Sequence, residues 1–586
     1  MENRRVRCCH FGDVVTRLGD ASKPTLAVPV FSPSTTMDTQ PSYSSRYTFS
    51  SQSRSSAGLS PKSRVLSFIS VSFHLPADPR QWGTNLDPDA KEPDDDIHDP
   101  KENSPSGWLH HGVDYRCVNL GCVLILVLGL VALFAGYPLI SYFSRHIMST
   151  NGGFNLGGIN ASGQLPAIHG YRSLIDVDTP KEAYTKSPWN GGPDMELVFS
   201  DEFNVPGRTF WPGDDPYWEA VNLHYWATNN LEWYDPEALK TKDGYLEVTL
   251  SRKETHNLNY QGGKNKFCFT GGYIETNVSL PGVPNVMGLW PAIWTLGNLG
   301  RAGYGASLDG MWPYTYDACD VGTVANQTVD GQPVAATVNG DMGKGGMLSW
   351  LPGQKLSRCT CPGESHPGPI HNDGTYVGRS APEIDVSAEL IGQVSQSAQW
   401  APFNAGYIWQ NTSQNEVIHD PTISVQNTYI GSVLQQATSV VTNTNPNCYE
   451  GTGGCFSIYG FEYITWVSNN QVAWTLNVAG VGADSAVQIS ARPVPQEPMY
   501  IIVDLGMSTN FGPVDIDHLP FPVHMRVDYI RVYQPKDNKN IGCDPKGFPT
   551  ARYINTYIEA YTNPNLTTWT NGYGQPFPKN RFLGQC

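Results

Sequence analysis

Six short runs carry the pattern that most constrains this chain: YLEVTL (245–250), YIETNVSL (273–280), EIDVSAEL (383–390), QVAWTLNV (471–478), MYIIVDLG (499–506) and MRVDYIRVYQ (525–534). Apolar residues tend to alternate within each, and Gly, Pro and Asn clusters separate them. A period of two predicts β-strands with one face buried. LVFSDEF (197–203) reads as an edge strand of the same set. With almost no helical periodicity between 197 and 535, the expectation is one large all-β sandwich. Composition agrees, because 58 Gly, 45 Pro, 29 Tyr and 16 Trp with only 16% charged residues suit a secreted or extracellular β-protein with long loops. A net charge of −16 argues against nucleic acid as a partner, since phosphate binding needs a concentrated positive field.

The flanks read differently. Residues 117–144, between Arg116 and Arg145, carry no charge and centre on CVLILVLGLVALFAGYPLI. That length suffices for one transmembrane helix and exceeds the apolar core of a cleaved signal peptide. Residues 1–116 are Ser/Thr/Arg-rich and then acidic and Pro-rich, a composition expected to stay disordered. Residues 145–196 read as a linker and 536–586 as an aromatic strap that returns to the body. Arg116 and Arg145 barely decide orientation, but other signals do. Asn-x-Ser/Thr glycosylation sequons stand at Asn160, Asn277, Asn326, Asn411 and Asn565, all after the membrane segment. So do Cys268, Cys319, Cys359, Cys361, Cys448, Cys455, Cys543 and Cys586, an even set that suits disulfides in an oxidising compartment. The expectation is a signal-anchor protein of the secretory pathway (endoplasmic reticulum, Golgi or plasma membrane). Its N-terminus is cytoplasmic and its C-terminal body lumenal or extracellular. Cys359 and Cys361 with His366 and His371 lack the spacing of a common zinc module, so disulfides are expected there and no metal. No phosphate loop, dinucleotide fingerprint or His-Glu-x-x-His motif occurs, and no cofactor is expected.

Chemistry concentrates at Glu383-Ile384-Asp385. Side chains at i and i+2 share one face of a strand, so the two carboxyls project together. Neighbouring carboxylates perturb each other's pKa, and retaining glycosidases work with two carboxyls about 5–5.5 Å apart. A solvated surface strand reads the same, so context matters. GLWPAIWTLG (288–297) supplies Trp290 and Trp294, indoles that can stack on sugar rings or sit in the core.

LVFSDEF, GLWPAIWTLG, Glu-Ile-Asp and VDYIRVYQ together resemble glycoside hydrolase family 16, which implies a concanavalin-like β-jelly roll acting on β-glucans with retention. DPRQWG, EPDDDIHDP, WPYTYDACDVGT, VSQSAQWAPFNAGY and YTNPNLTTW bring the resemblance closer, to fungal β-glucan synthesis-associated proteins of the killer-toxin-resistance type. Those are type II membrane proteins required for cell-wall β-1,6-glucan, and the likeness runs from about residue 72 to the C-terminus. It implies β-glucan as partner, Glu383 as nucleophile and Asp385 as the residue that tunes it. The acid/base is implied four residues after the nucleophile, or five where a β-bulge intervenes. Those positions hold Ser387 and Ala388. Glu389, six residues on, serves only if the strand absorbs about two extra residues. Tyr273 stands where many family 16 hydrolases carry Arg; the glucan-synthesis branch shares Tyr, so the departure is expected to concern specificity rather than fold. Two function classes follow: a retaining glucan hydrolase or transglycosylase, favoured by the Glu383–Asp385 pair, and a non-catalytic glucan-binding or scaffold protein, favoured by the altered spacing. A nucleotide-sugar glycosyltransferase fits poorly without a βαβ pattern.

Overall fold

The computed structural model describes residues 115–137 and 174–586, apart from 213, 257 and 263–266. The alternating runs become strands: β1 Met195–Asp201, β2 Tyr245–Thr255, β3 Tyr273–Ser279, β4 Trp290–Gly297, β5 Glu383–Leu390, β6 Gln393–Trp400, β7 Gln435–Asn443, β8 Ser457–Glu462, β9 Thr465–Ser468, β10 Gln471–Leu476, β11 Met499–Gly506 and β12 Val523–Pro535. Shorter strands extend the edges. One sheet runs β10-β9-β8-β3-β12-β2, with β1 also paired to β12; the other runs β7-β6-β5-β4-β11. All these pairs are antiparallel.

Alternation sends Phe199, Leu246, Val248, Ile274 and Val532 of the first sheet against Ile293, Ile384, Val386, Ile501 and Val503 of the second, each at most 3% exposed. Fully burying one such side chain stabilises by about 1.5–3 kcal/mol. The all-β sandwich is therefore as expected. The LVFSDEF motif serves this scaffold. Arg208 forks onto both oxygens of Asp201 at 2.8 Å, and the Trp218 indole donates to the same carboxylate at 2.6 Å. Arg531 grips Glu202 in the same bidentate way, at 2.9 and 2.7 Å.

The outer face of the second sheet is partly covered. The long connection from β4 to β5 and the C-terminal tail pack Leu299, Met311, Leu356, Tyr553, Tyr561 and Trp569 over Leu296, Tyr500 and Ile502. Buried Arg379, in that connection, is bidentate to Glu497 at 2.7 and 2.8 Å and donates to the Pro549 carbonyl of the tail at 2.8 Å. Cys268–Cys543 and Cys361–Cys586 lock the tail at both ends, while Cys319–Cys359 and Cys448–Cys455 close local loops. All eight late cysteines are thus paired, with the expected tether of the strap.

One flanking expectation changes. Ordered chain begins before residue 197, because Leu174 packs on the main core and Ile175 and Trp189 on a satellite cluster of Met195, Leu197, Tyr273, Val467 and Tyr533. The Trp189 amide also donates to Glu462 at 2.7 Å. Residues 174–196 are therefore part of the body, because their apolar side chains find partners. Near the N-terminal end, α1 spans Tyr115–Val131, 17 residues, and runs into one π-helical turn, Ala132–Gly136, where the Tyr137 amide reaches back to the Ala132 carbonyl. No helix among the described residues is long and apolar enough to cross a membrane. Residues 138–144 of the expected span, the linker to 173 and the tail expected to be disordered, up to 114, lie outside the described residues.

Candidate active site

The second sheet's outer face is built from cross-strand rows, whose directly paired residues share a face. The first row is Gln399, Glu383, Leu296 and Tyr500, on β6, β5, β4 and β11. The next is Ser397, Asp385, Trp294 and Ile502, and the third Ser395, Ala388, Ala292 and Asp504. The step from Asp385 to Ala388 spans three residues where the partner strand spans two, from Ser397 to Ser395. The other neighbour shows the same excess, with Asp385 opposite Trp294 and Ser387 opposite Ile293. One extra residue is a β-bulge.

The bulge decides the acid/base geometry. A single extra residue puts position 388 in register with Glu383 and Asp385, and the residue there is alanine. Glu389 falls opposite Val394, a core residue, and so has the other parity. The two-residue insertion that brings Glu389 back to the site face does not occur in this register; its side chain lies outside the described residues.

Glu383 is half-buried and accepts the Trp312 indole N–H at 2.5 Å. Asp385 is 8% exposed and accepts from the Ser397 hydroxyl and, at 3.0 Å, from the Gln399 amide. Burial pushes the Asp385 carboxyl above its ordinary range, against the lowering effect of bonds from Ser397, Gln399 and Glu383. The two carboxyls therefore sit in different surroundings: Glu383 is half-buried beside the Trp312 indole, and Asp385 is buried, with its pKa raised by that burial.

Trp290 and Trp294 both lie on this face and both are half-buried, Trp294 packing at the edge of the cluster under the cover. Trp294 donates to Asp504 at 2.7 Å, and Trp290 stacks on Phe511 with centroids 3.9 Å apart. Behind Trp294, the Tyr234 hydroxyl donates to the other Asp504 oxygen at 3.1 Å. The Asn230 amide reaches both Tyr234, at 3.1 Å, and buried Glu232, at 2.5 Å. Gly506 is obligatory at this packing, since a Cβ there would stand 2.5 Å from a Glu232 oxygen. Tyr225 feels the charges of both Glu383 and Asp504, though burial is the main reason its hydroxyl holds its proton so tightly.

Trp312, Asp504, Tyr234 and Tyr225 were not singled out by spacing. Trp312 arrives from the β4–β5 connection, distant in sequence from Glu383, and only its place in WPYTYDACDVGT marks it. Tyr273 belongs to the other sheet. It is fully buried in the satellite cluster and donates to Glu275 at 3.0 Å, so its departure from Arg concerns packing rather than glucan specificity. Among the sequons, Asn411 and Asn565 are exposed, Asn326 is half-buried in a left-handed turn, and Asn277, half-buried in β3, donates to Asp528 at 3.0 Å. Asn160 lies outside the described residues. Cys359 and Cys361 are spent in disulfides. His366 stacks on Tyr376 and His371 pairs with Asp317 at 3.1 Å.

Fold and site together define a two-sheet β-sandwich protein with an acidic, indole-lined outer face. Over residues 84–586 the chain matches the family described as beta-glucan synthesis-associated protein SKN1/KRE6/Sbg1, and it belongs to that family. It is 40% identical to beta-glucan synthesis-associated protein SKN1 of Candida albicans over 85% of this chain and 67% of that protein. It is 39% identical to KRE6 of Saccharomyces cerevisiae over 85% and 69%. Among solved structures it is similar to the catalytic domain of an endo-1,3-beta-glucanase (laminarinase) from Thermotoga petrophila, at 18% identity and a TM-score of 0.34, covering 59% of this chain and all of that one. A laminarinase from Rhodothermus marinus gives 18% and 0.33, covering 58% and 97%.

Proposed function

We propose that this protein processes β-glucan, β-1,6-glucan included, during cell-wall synthesis, as a retaining hydrolase or transglycosylase with Glu383 as nucleophile. The observation that carries the reading is the Glu383–Asp385 pair on one strand face, with the Trp312 indole donating to the first and burial raising the pKa of the second. Glu383 attacks the anomeric carbon, the glycosidic oxygen leaves, and a sugar hydroxyl or water displaces the enzyme from the glycosyl ester. Asp385 orients Glu383 and limits its charge, and Trp294 and Trp290 present indole to the sugar chain. With alanine at position 388, the leaving oxygen gets no proton from that residue. The reaction then favours donors whose leaving group departs easily. Membership in a β-glucan synthesis-associated family supports the wall role.

The body is placed on the lumenal or extracellular side of a secretory-pathway membrane, as a type II protein. Four disulfides suit such a compartment. The helical residues Val123–Leu128, Leu133 and Phe134 expose their apolar side chains by 50–73%, as a lipid-facing anchor requires. The second reading, a glucan-binding scaffold, is favoured by one observation, the alanine in the acid/base row.

The test is trapping with an activated 2-fluoro β-glucosyl donor, which needs no protonation to react. Mass mapping is expected to find one glycosyl adduct, on the peptide that contains Glu383. No adduct, or one on another residue, contradicts the enzyme reading and favours the scaffold.

A further inference from the structure

At the far end of the site face lies a cavity of about 400 Å³ that nothing above has used. Its walls are Val283, Val286, Met287, Leu289, Ile391 and Phe511, with Trp290 shared between it and the site face. The polar side chains at its lining are Gln393 and Ser508, and no charged residue contributes. Two loops build it, held together by the Asp515 amide donating to the Met287 carbonyl at 3.0 Å and by the Trp290–Phe511 stack. Its rim is open: Met287, Ile391 and Phe511 are 37%, 43% and 36% exposed. Along β4, Trp290 lies six residues from Leu296, the partner of Glu383, or about 20 Å.

That lining is wrong for more sugar. A glucosyl unit brings several hydroxyls, and Gln393 and Ser508 can pair only some of them, so burying the rest against Val, Met, Leu and Ile is costly. It is equally wrong for a nucleotide or phosphate, which need a positive charge or a cradle of donors. It suits a flexible aliphatic group, and its continuity with the indole-lined face gives that group a defined attachment. We propose that this cavity takes the apolar aglycone of a glycolipid whose β-glucosyl chain lies along the site face toward Glu383. The proposal rests on the glucan reading above and names its substrate class: a membrane-derived glucoside as primer or acceptor, held with its lipid end 20 Å or so from the nucleophile.

The test uses the full chain in a lipid nanodisc and calorimetric titration with two probes, the methyl and the hexyl β-glycoside of one β-glucotriose. Each buried methylene favours binding about fourfold, so two or three in the cavity give the hexyl probe an advantage on the order of tenfold or more. Met287→Ser and Ile391→Ser, at the exposed rim and outside the proposed catalytic groups, are expected to close that gap, leave methyl-probe affinity unchanged and keep the thermal midpoint. Equal affinity of the two probes overturns the proposal. So does a gap that survives both substitutions, which marks partition into the bilayer. The same gain from lengthening the methyl glycoside to six glucosyl units also overturns it, because sugar then fills the cavity. Failure of the methyl probe to bind at all defeats the glucan reading, and this proposal with it.

Discussion

Glu383 and Asp385 are two residues apart, yet their surroundings separate them, and neither environment is written in the Glu-Ile-Asp tripeptide. Strand parity made the pair legible; the Trp312 donor was not, because it comes from a loop with no periodicity. A similar logic governs Glu232 beneath the site. It is fully buried, and its pKa is pushed up to about 7, chiefly by burial, against donors from Met507 and Asn230. In the unfolded chain it titrates near its ordinary 4.5. Below that pH both states carry the proton and folding costs nothing extra. As pH rises toward 7 the unfolded state ionises first, and stability falls by on the order of 3 kcal/mol in total. The expectation is that the thermal midpoint of the wild type drops more steeply between pH 4.5 and 7 than that of Glu232→Gln. Differential scanning calorimetry across that range checks it, and parallel curves contradict it.

At the scale of the element, β5 shows what sequence spacing hides. Its alternation announces a strand with two carboxyls on one face, but a bulge has no reliable sequence mark when neither Gly nor Pro accompanies it. Register alone reveals that one residue is extra and that 388, not 389, falls in step with Glu383 and Asp385. Ala388→Glu is therefore expected to raise turnover of unactivated β-glucan by about a hundredfold, the lower range for a placed general acid. Turnover of an aryl glucoside with a good leaving group should change little. Glu389→Ala is expected to leave both rates close to wild type. Product release from the two substrates measures this, and a steep loss in Glu389→Ala on glucan alone contradicts the register argument.

For the whole molecule, the two-sheet architecture was legible because alternation and turn residues recur from 197 to 535, and the cysteine parity already implied closed disulfides. The cover over half of the outer face was not legible. The β4–β5 connection and the tail have no period, and their packing is set by long-range ties such as Arg379 to Glu497 and Cys361 to Cys586. That cover matters because it brings Trp312 to Glu383 and leaves open the face from Asp385 to Trp290. The most direct measurement is the wall β-glucan content of cells whose only copy carries Glu383→Gln, a near-isosteric change that removes the nucleophile without opening a cavity. Wall β-glucan is expected to fall to the level of cells lacking the protein, with the variant folded and present in normal amount. Wall β-glucan restored to the wild-type level by Glu383→Gln would contradict it.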